Sequence, residues 1–157
     1  MLTATLSGTL WAVSAYLVSE SKVIAAEPQR LFDLVADPAM HPVMDGSGSV
    51  EAMRDGAPDR LSLGATFGMD MKLGAGYKIT NTVVEFDEPN VIAWRHFNGH
   101  VWRYLFEPVD GGTKVTEQWD ARPAKNRIFL RLSGFPARNR KGILATLDKL
   151  SAMVDDA

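Results

Sequence analysis

Hydrophobic positions in this chain change period twice. Near the start, Ser21 to Ala26 reads as a short strand, and Glu27-Pro28 then opens a helix with proline at a tolerated first-turn position. Leu31, Phe32, Leu34 and Val35 supply its apolar stripe. Asp37-Pro38 stops it, and Pro38 to Met44 reads as a second short helical turn. From Val50 onward the period becomes two. Thr66 to Leu73 sets Phe67, Met69, Met71 and Leu73 against Thr66, Gly68, Asp70 and Lys72, the pattern of a half-buried strand. Further strands are predicted at Val50 to Arg54, Tyr77 to Phe86, Val91 to Phe97, Val101 to Glu107 and Thr113 to Asp120. Turns at Gly74-Ala75-Gly76, Asp87 to Asn90, Asn98-Gly99 and Asp110 to Gly112 separate the last five strands. Ile128, Leu132, Ile143, Leu147, Leu150 and Val154 then return to helical spacing, with a break at Gly134-Phe135-Pro136. The expected fold class is α+β: a seven-stranded curved antiparallel sheet wrapped around a long C-terminal helix, with two short helices between strands one and two.

The turns also fix an expected register. If Asn98-Gly99 is a two-residue loop, Arg95 faces Trp102, Ala93 faces Tyr104 and Val91 faces Phe106. A four-residue loop at Val109 to Gly112 sets Phe106 opposite Val115, Tyr104 opposite Glu117 and Trp102 opposite Trp119. Opposed residues share a face. One face then gathers Phe97, Trp102, Tyr104, Phe106, Val115 and Trp119, with Arg95 and Glu117 among them, and is expected to be concave and to look at the long helix. Ile92, Trp94, His96, Arg103 and Gln118 fall on the other face. Arg95, Tyr104 and Glu117 would orient an otherwise greasy ligand. Two alternatives stay open for the arginine: pairing with Glu117 across the strands, or stacking on Trp102. Asn81 is a further polar candidate, sharing a face with Tyr77 and Ile79. Phe67, Met69 and Met71 would add apolar wall, methionine being an adaptable lining for a variable ligand and equally common as plain core.

At 157 residues the chain has room for one domain, expected over 19–157, and a core that needs no staples. Cysteine is absent, which removes disulfides, thiolate nucleophiles and Cys-based metal sites and fits a reducing cytoplasm. The net charge of -2 hides an asymmetry: residues 1–120 carry nine basic and sixteen acidic side chains, a net of -7. Ala121 to Leu147 carries seven basic residues, from Arg122 to Lys141, and no acid. Such a block either solvates a helix face or meets an acidic partner or anionic membrane surface, so weak membrane contact through Arg122–Lys141 is an expectation. Nucleic acid is not expected, given a pI of about 5.9 and no binding motif. Met1 to Val18 contains no charged side chain. It is too rich in Ser, Thr and Gly to span a bilayer and lacks the basic start of a signal peptide, so a loosely ordered extension is expected.

Motifs for chemistry are sparse. His96 and His100 straddle a hairpin tip on opposite faces in the expected register, without a third ligand, so no metal is expected. His41 near Asp45 reads either as an acid–base pair at a cavity mouth or as a surface histidine in a Pro-flanked turn. No nucleophile elbow, Walker A or dinucleotide fingerprint occurs, so no cofactor is expected and no residue is assigned a catalytic role.

The segments VIAAEPQRLFDLVADPAMHP and TNTVVEFDEPNVIAWRHFNGHVWRYLFEPVDGGTKVTEQWD resemble the START-like helix-grip superfamily, and within it the SRPBCC group of polyketide cyclase/dehydrase and lipid-transport proteins. The resemblance covers about Ser19 to Ala152. It implies a hydrophobic cavity between sheet and C-terminal helix, and members that bind lipids, polyketides, sterols or hormones. A minority are cyclases, hydrolases or chaperone cofactors. The expected function is therefore carriage of a small hydrophobic ligand by a cytoplasmic monomer or homodimer. The alternatives are an aromatase/cyclase-type enzyme and a chaperone-related interaction module.

Overall fold

A computed structural model describes residues 15–156. Seven strands form one antiparallel sheet: β1 (Leu17–Ile24), β2 (Val50–Met53), β3 (Thr66–Leu73), β4 (Ala75–Asp87), β5 (Val91–His96), β6 (Val101–Val109) and β7 (Gly112–Asp120). Their spatial order is β1-β7-β6-β5-β4-β3-β2, so the first strand pairs with the last while the others follow as a meander. β1 starts at Leu17, earlier than Ser21, because Val18 pairs with Trp119 and is buried. The rest of the extension expected at Met1 to Val18 lies mostly outside the described residues.

Helix α1 (Pro28–Ala36) buries Leu31, Phe32, Val35 and Ala36. Phe32 packs edge-on against Phe86 and Phe106 at 5.4 and 5.6 Å, and so closes one end of the sheet. The Asp37 carboxylate then accepts the Ala39 N–H at 2.9 Å and caps a 3-10 turn at Pro38–Met40, which leads into α2 (His41–Met44). At the C-terminus, α3 (Arg127–Leu132) and α4 (Phe135–Asp155) are separated at Gly134, whose φ of +80° suits glycine and breaks the helix where expected. Ile143, Leu147, Leu150 and Val154 line the buried stripe of α4, which packs over β1 and β7 on the concave face. A register shift between Val83 and Glu85 adds a residue to β4 against β5, a bulge that bends the sheet around the helix.

One close approach holds the rim. The loop after α2 lies so near α4 that a Cβ at Gly46 would sit 2.3 Å from the Thr146 backbone nitrogen and 2.5 Å from the Ala145 carbonyl carbon. Gly46 N–H donates to Thr146 Oγ1 at 2.9 Å, locking loop to helix.

The β6–β7 register matches the expectation pair for pair: Trp102 with Trp119, Tyr104 with Glu117, Phe106 with Val115. The β5–β6 register does not. Trp94 pairs with Trp102, Ile92 with Tyr104 and Arg95 with Val101, one residue away from the two-residue-loop alignment. The loop holds three residues, Phe97, Asn98 and Gly99. The His96 N–H bonds to the His100 carbonyl at 2.9 Å, and Gly99 takes the positive φ. A three-residue loop ending in a left-handed glycine closes a hairpin as well as Asn-Gly alone. That single step moves every β5 side chain to the opposite face.

Candidate functional site

The concave face and α4 enclose a cavity of about 380 Å³. Sheet residues supply most of its apolar wall: Met69 and Met71 from β3, Ile79 from β4, Trp94 from β5, Trp102 from β6 and Trp119 from β7. Ile143 and Phe135 close it from α4, and Phe129 and Leu130 from α3.

Of the expected ligand contacts, Met69, Met71, Tyr77 and Asn81 line the cavity, as do Trp102, Tyr104, Glu117 and Trp119. Three do not. Arg95 lies exposed on the outer face, carried there by the loop of three residues, so neither its ion pair with Glu117 nor its stacking on Trp102 forms. Phe97 leaves the sheet for the hairpin tip and is exposed. Phe106 faces inward but lies under α1 against Phe32. Phe67 is buried behind the cavity, 5.3 Å from His41 and 5.6 Å from Trp94 between ring centroids.

With Arg95 on the outer face, the interior lacks the cation expected beside Glu117. Glu117 is 4% exposed, faces no cation and keeps Oε2 without a hydrogen-bond partner. Burial pushes its carboxyl up to about 8; the Tyr104 hydroxyl pulls the other way as a donor, and Asp45 adds to the rise. Glu117 is therefore largely a neutral acid at neutral pH. Burial, with the Glu117 carboxyl beside it, lifts the Tyr104 phenol well above its usual range. Asn81 Oδ1 and His100 Nδ1 are buried without partners as well, and both residues line the same cavity.

The two hairpin histidines share a face and stack at 4.4 Å, a correction to their expected opposition. Burial lowers His96 to about 4 and His100 to about 3, the latter helped by the neighbouring His96. His41 is neither a surface histidine nor an acid at the mouth. It is buried, its Nε2 lies 2.8 Å from the Val35 carbonyl oxygen, and its ring stacks on Trp94 at 4.8 Å. Burial holds its pKa below the usual histidine value. Asp45 instead organises the rim, accepting the N–H groups of Ser47, Ser49 and Val50 at 3.1 to 3.2 Å. Arg138 from α4 reaches across to donate to Ser49 Oγ at 3.1 Å. Among the described residues no group of three or more His, Asp or Glu is placed to hold a metal ion.

This combination of a curled sheet and a gripping helix is matched by known proteins. The profile of the polyketide cyclase/dehydrase and lipid transport family aligns with residues 16–154. The chain belongs to this family. A Mycobacterium tuberculosis protein, Rv0088, is 41% identical over 140 residues, covering 85% of this chain and 62% of its own length. The chain thus spans less than two thirds of that relative. Among solved structures, the AHSA1-like protein of Aeromonas hydrophila superimposes with a TM-score of 0.67 at 22% identity, covering 89% of this chain and 92% of the other. The polyketide-cyclase-like protein Cgl2372 of Corynebacterium glutamicum does so with a TM-score of 0.55 at 21% identity, covering 88% and 91%. At these identities the likeness establishes the helix-grip fold and nothing finer.

Within this family member, sequence reasoning missed Trp94, His96, His100 and His41 as parts of the interior. A signal for the first two was present. Ile92 and Trp94 are a more apolar alternating set than Val91, Ala93 and Arg95, and burying the apolar set demands the three-residue loop. For His41 no local pattern exists, because its burial is produced by Phe67 and Trp94 from distant strands.

Proposed function

We propose that this protein binds and carries a small, mostly apolar molecule in the cavity between the sheet and α4. The observation that carries the reading is the cavity itself. Its volume of about 380 Å³ falls in the range of small-molecule sites, and its aromatic and aliphatic wall is set with polar side chains, among them Asn81, His100 and Glu117 inside and Asp45 and Arg138 at the rim. Asn81, His100 and Glu117, buried with unpartnered atoms, would meet the ligand's polar groups at hydrogen-bond distance, since an unpaired buried polar atom costs about 1–3 kcal/mol. With Glu117 protonated, all three are neutral, which suits hydroxyl, carbonyl or amide groups better than a charged end. Apolar burial of the remainder supplies about 25 cal/mol per Å² before the cost of association.

A second reading rests on Glu117 and Tyr104, opposed across β6 and β7. A buried acid at about 8 beside a phenol is placed to hand protons to and from a keto group, as an aromatase/cyclase-type enzyme requires.

The experiment is native mass spectrometry of freshly purified protein followed by identification of any released molecule. Titration of apolar ligands against tryptophan fluorescence complements it, since three of the four tryptophans line the cavity. A co-purifying apolar molecule, or saturable quenching, supports carriage. An empty protein that ignores the panel refutes it. Carrier and enzyme separate at Glu117→Gln, which retunes affinity in the first and abolishes turnover in the second.

A further inference from the structure

α3 presents the wrong side to water. Leu130 is its one buried residue, while Ile128, Phe129 and Leu132 are 63%, 62% and 77% exposed. Phe97, at the β5–β6 hairpin tip, is 70% exposed. The two features sit at the same end of the molecule. Asn98 Nδ2 donates to Asn126 Oδ1 at 2.7 Å, and the Lys125 N–H donates to the Asn98 carbonyl at 3.2 Å, so the tip is tied to the segment that enters α3. Four large apolar side chains grouped in this way exceed the scattered exposure of an ordinary soluble surface.

The charge around them is of one sign. Lys125, Arg127 and Arg131 are exposed on or beside α3, and none has a carboxylate partner among the described residues. Arg131 lies over the Tyr16 ring at 5.6 Å. No acidic residue occurs between Ala121 and Leu147.

The patch also borders the cavity. Phe129 is exposed and lines the cavity at once, and Asn98, Asn126 and Phe135 line it beside Phe129.

We propose that α3 and the Phe97 tip form a docking surface for an anionic lipid bilayer, set at the mouth of the cavity. Ile128, Leu132, Phe129 and Phe97 would enter the acyl boundary, with Lys125, Arg127 and Arg131 at the level of the phosphates. The charge argues against a second copy as the occupant, because a two-fold contact would set these cations against themselves. An acidic protein would satisfy the cations but gives no reason for an apolar patch to border the cavity through Phe129. A bilayer gives one: an apolar ligand passes between cavity and lipid without crossing water. The purpose of the surface rests on the carrier reading; the docking does not.

The test is co-sedimentation of the full chain with phosphatidylcholine vesicles and with vesicles that also contain phosphatidylglycerol. Binding is expected only to the anionic vesicles and is expected to weaken as salt is raised. Lys125→Glu with Arg127→Glu lowers the partition coefficient at least about fivefold per residue. Ile128→Ser with Leu132→Ser lowers it about tenfold or more. None of these four residues lines the cavity, so each variant keeps its melting temperature and its uptake of the apolar probe phenylnaphthylamine. Equal binding to both vesicle types, no binding to either, or full binding by the serine variant overturns the proposal. So does an exposed patch that serves dimerisation, seen as a concentration-dependent mass that the serine substitutions abolish while vesicle binding persists. Loss of vesicle binding with probe uptake intact leaves the cavity reading standing, and loss of probe uptake by native protein strikes that reading alone.

Discussion

Replacing Glu117 by glutamine isolates the electrostatics of the cavity. The native carboxyl titrates at about 8, against an ordinary value of 4.5 in the unfolded chain. Across that window the folded protein holds a proton that the unfolded chain has released. Raising the pH therefore favours unfolding, by up to about 1.4 kcal/mol per pH unit, until the folded carboxyl itself ionises. The three histidines act in the opposite direction. Their folded values lie below 6.5, so they add stability above 6.5 that is lost as the pH falls toward about 4 for His96 and about 3 for His100. Both proteins carry those histidines, so their contribution cancels in the difference between native and variant. Glutamine is nearly isosteric with the protonated acid and does not titrate. The variant is expected to gain about 3.5 kcal/mol on the native protein between about pH 5 and pH 8. Urea denaturation at several pH values, with both proteins at matched ionic strength, measures the gap directly. A gap that stays constant across the window would show that Glu117 is solvated or paired, and the account of a neutral acid in the cavity would fall.

Two further substitutions test the geometry. Gly46→Ala places a methyl group inside contact distance of α4 backbone and is expected to destabilise the protein by about 1–3 kcal/mol in chemical denaturation. It should also loosen the rim loop, read as faster amide exchange at Ser47 to Val50; an unchanged midpoint would mean that loop and helix are not locked. Arg95→Gln separates the two possible β5 registers. On the outer face it changes stability by less than about 0.5 kcal/mol and leaves both apolar-probe binding and the pH dependence of Glu117 untouched, whereas a large shift in either would return Arg95 to the cavity.

The sequence alone determined the order of elements and nearly all of their positions, because those follow from local rules. The helix stop at Asp37-Pro38, the alternation from Thr66 to Leu73 and the break at Gly134 each depend on residues a few positions apart. The β6–β7 pairing was legible for the same reason: Asp110-Gly111 joins the two strands directly, and the predicted register holds along their whole length. From it came Trp102, Tyr104, Glu117 and Trp119 as cavity residues. What only the tertiary structure decided was which face of β5 looks inward. Asn98-Gly99 serves a two-residue and a three-residue loop equally well, and the choice is made by burying Ile92 and Trp94 against α1, α2 and the neighbouring strands, a gain that no local window contains. That one residue of slip removed the cation expected beside Glu117 and brought Trp94 and His96 to line the cavity. The exposure of α3 was equally beyond the sequence. Its apolar residues fit a buried stripe by spacing, and six residues ahead of the Gly134 break are too few to fold back over the sheet that α4 already covers.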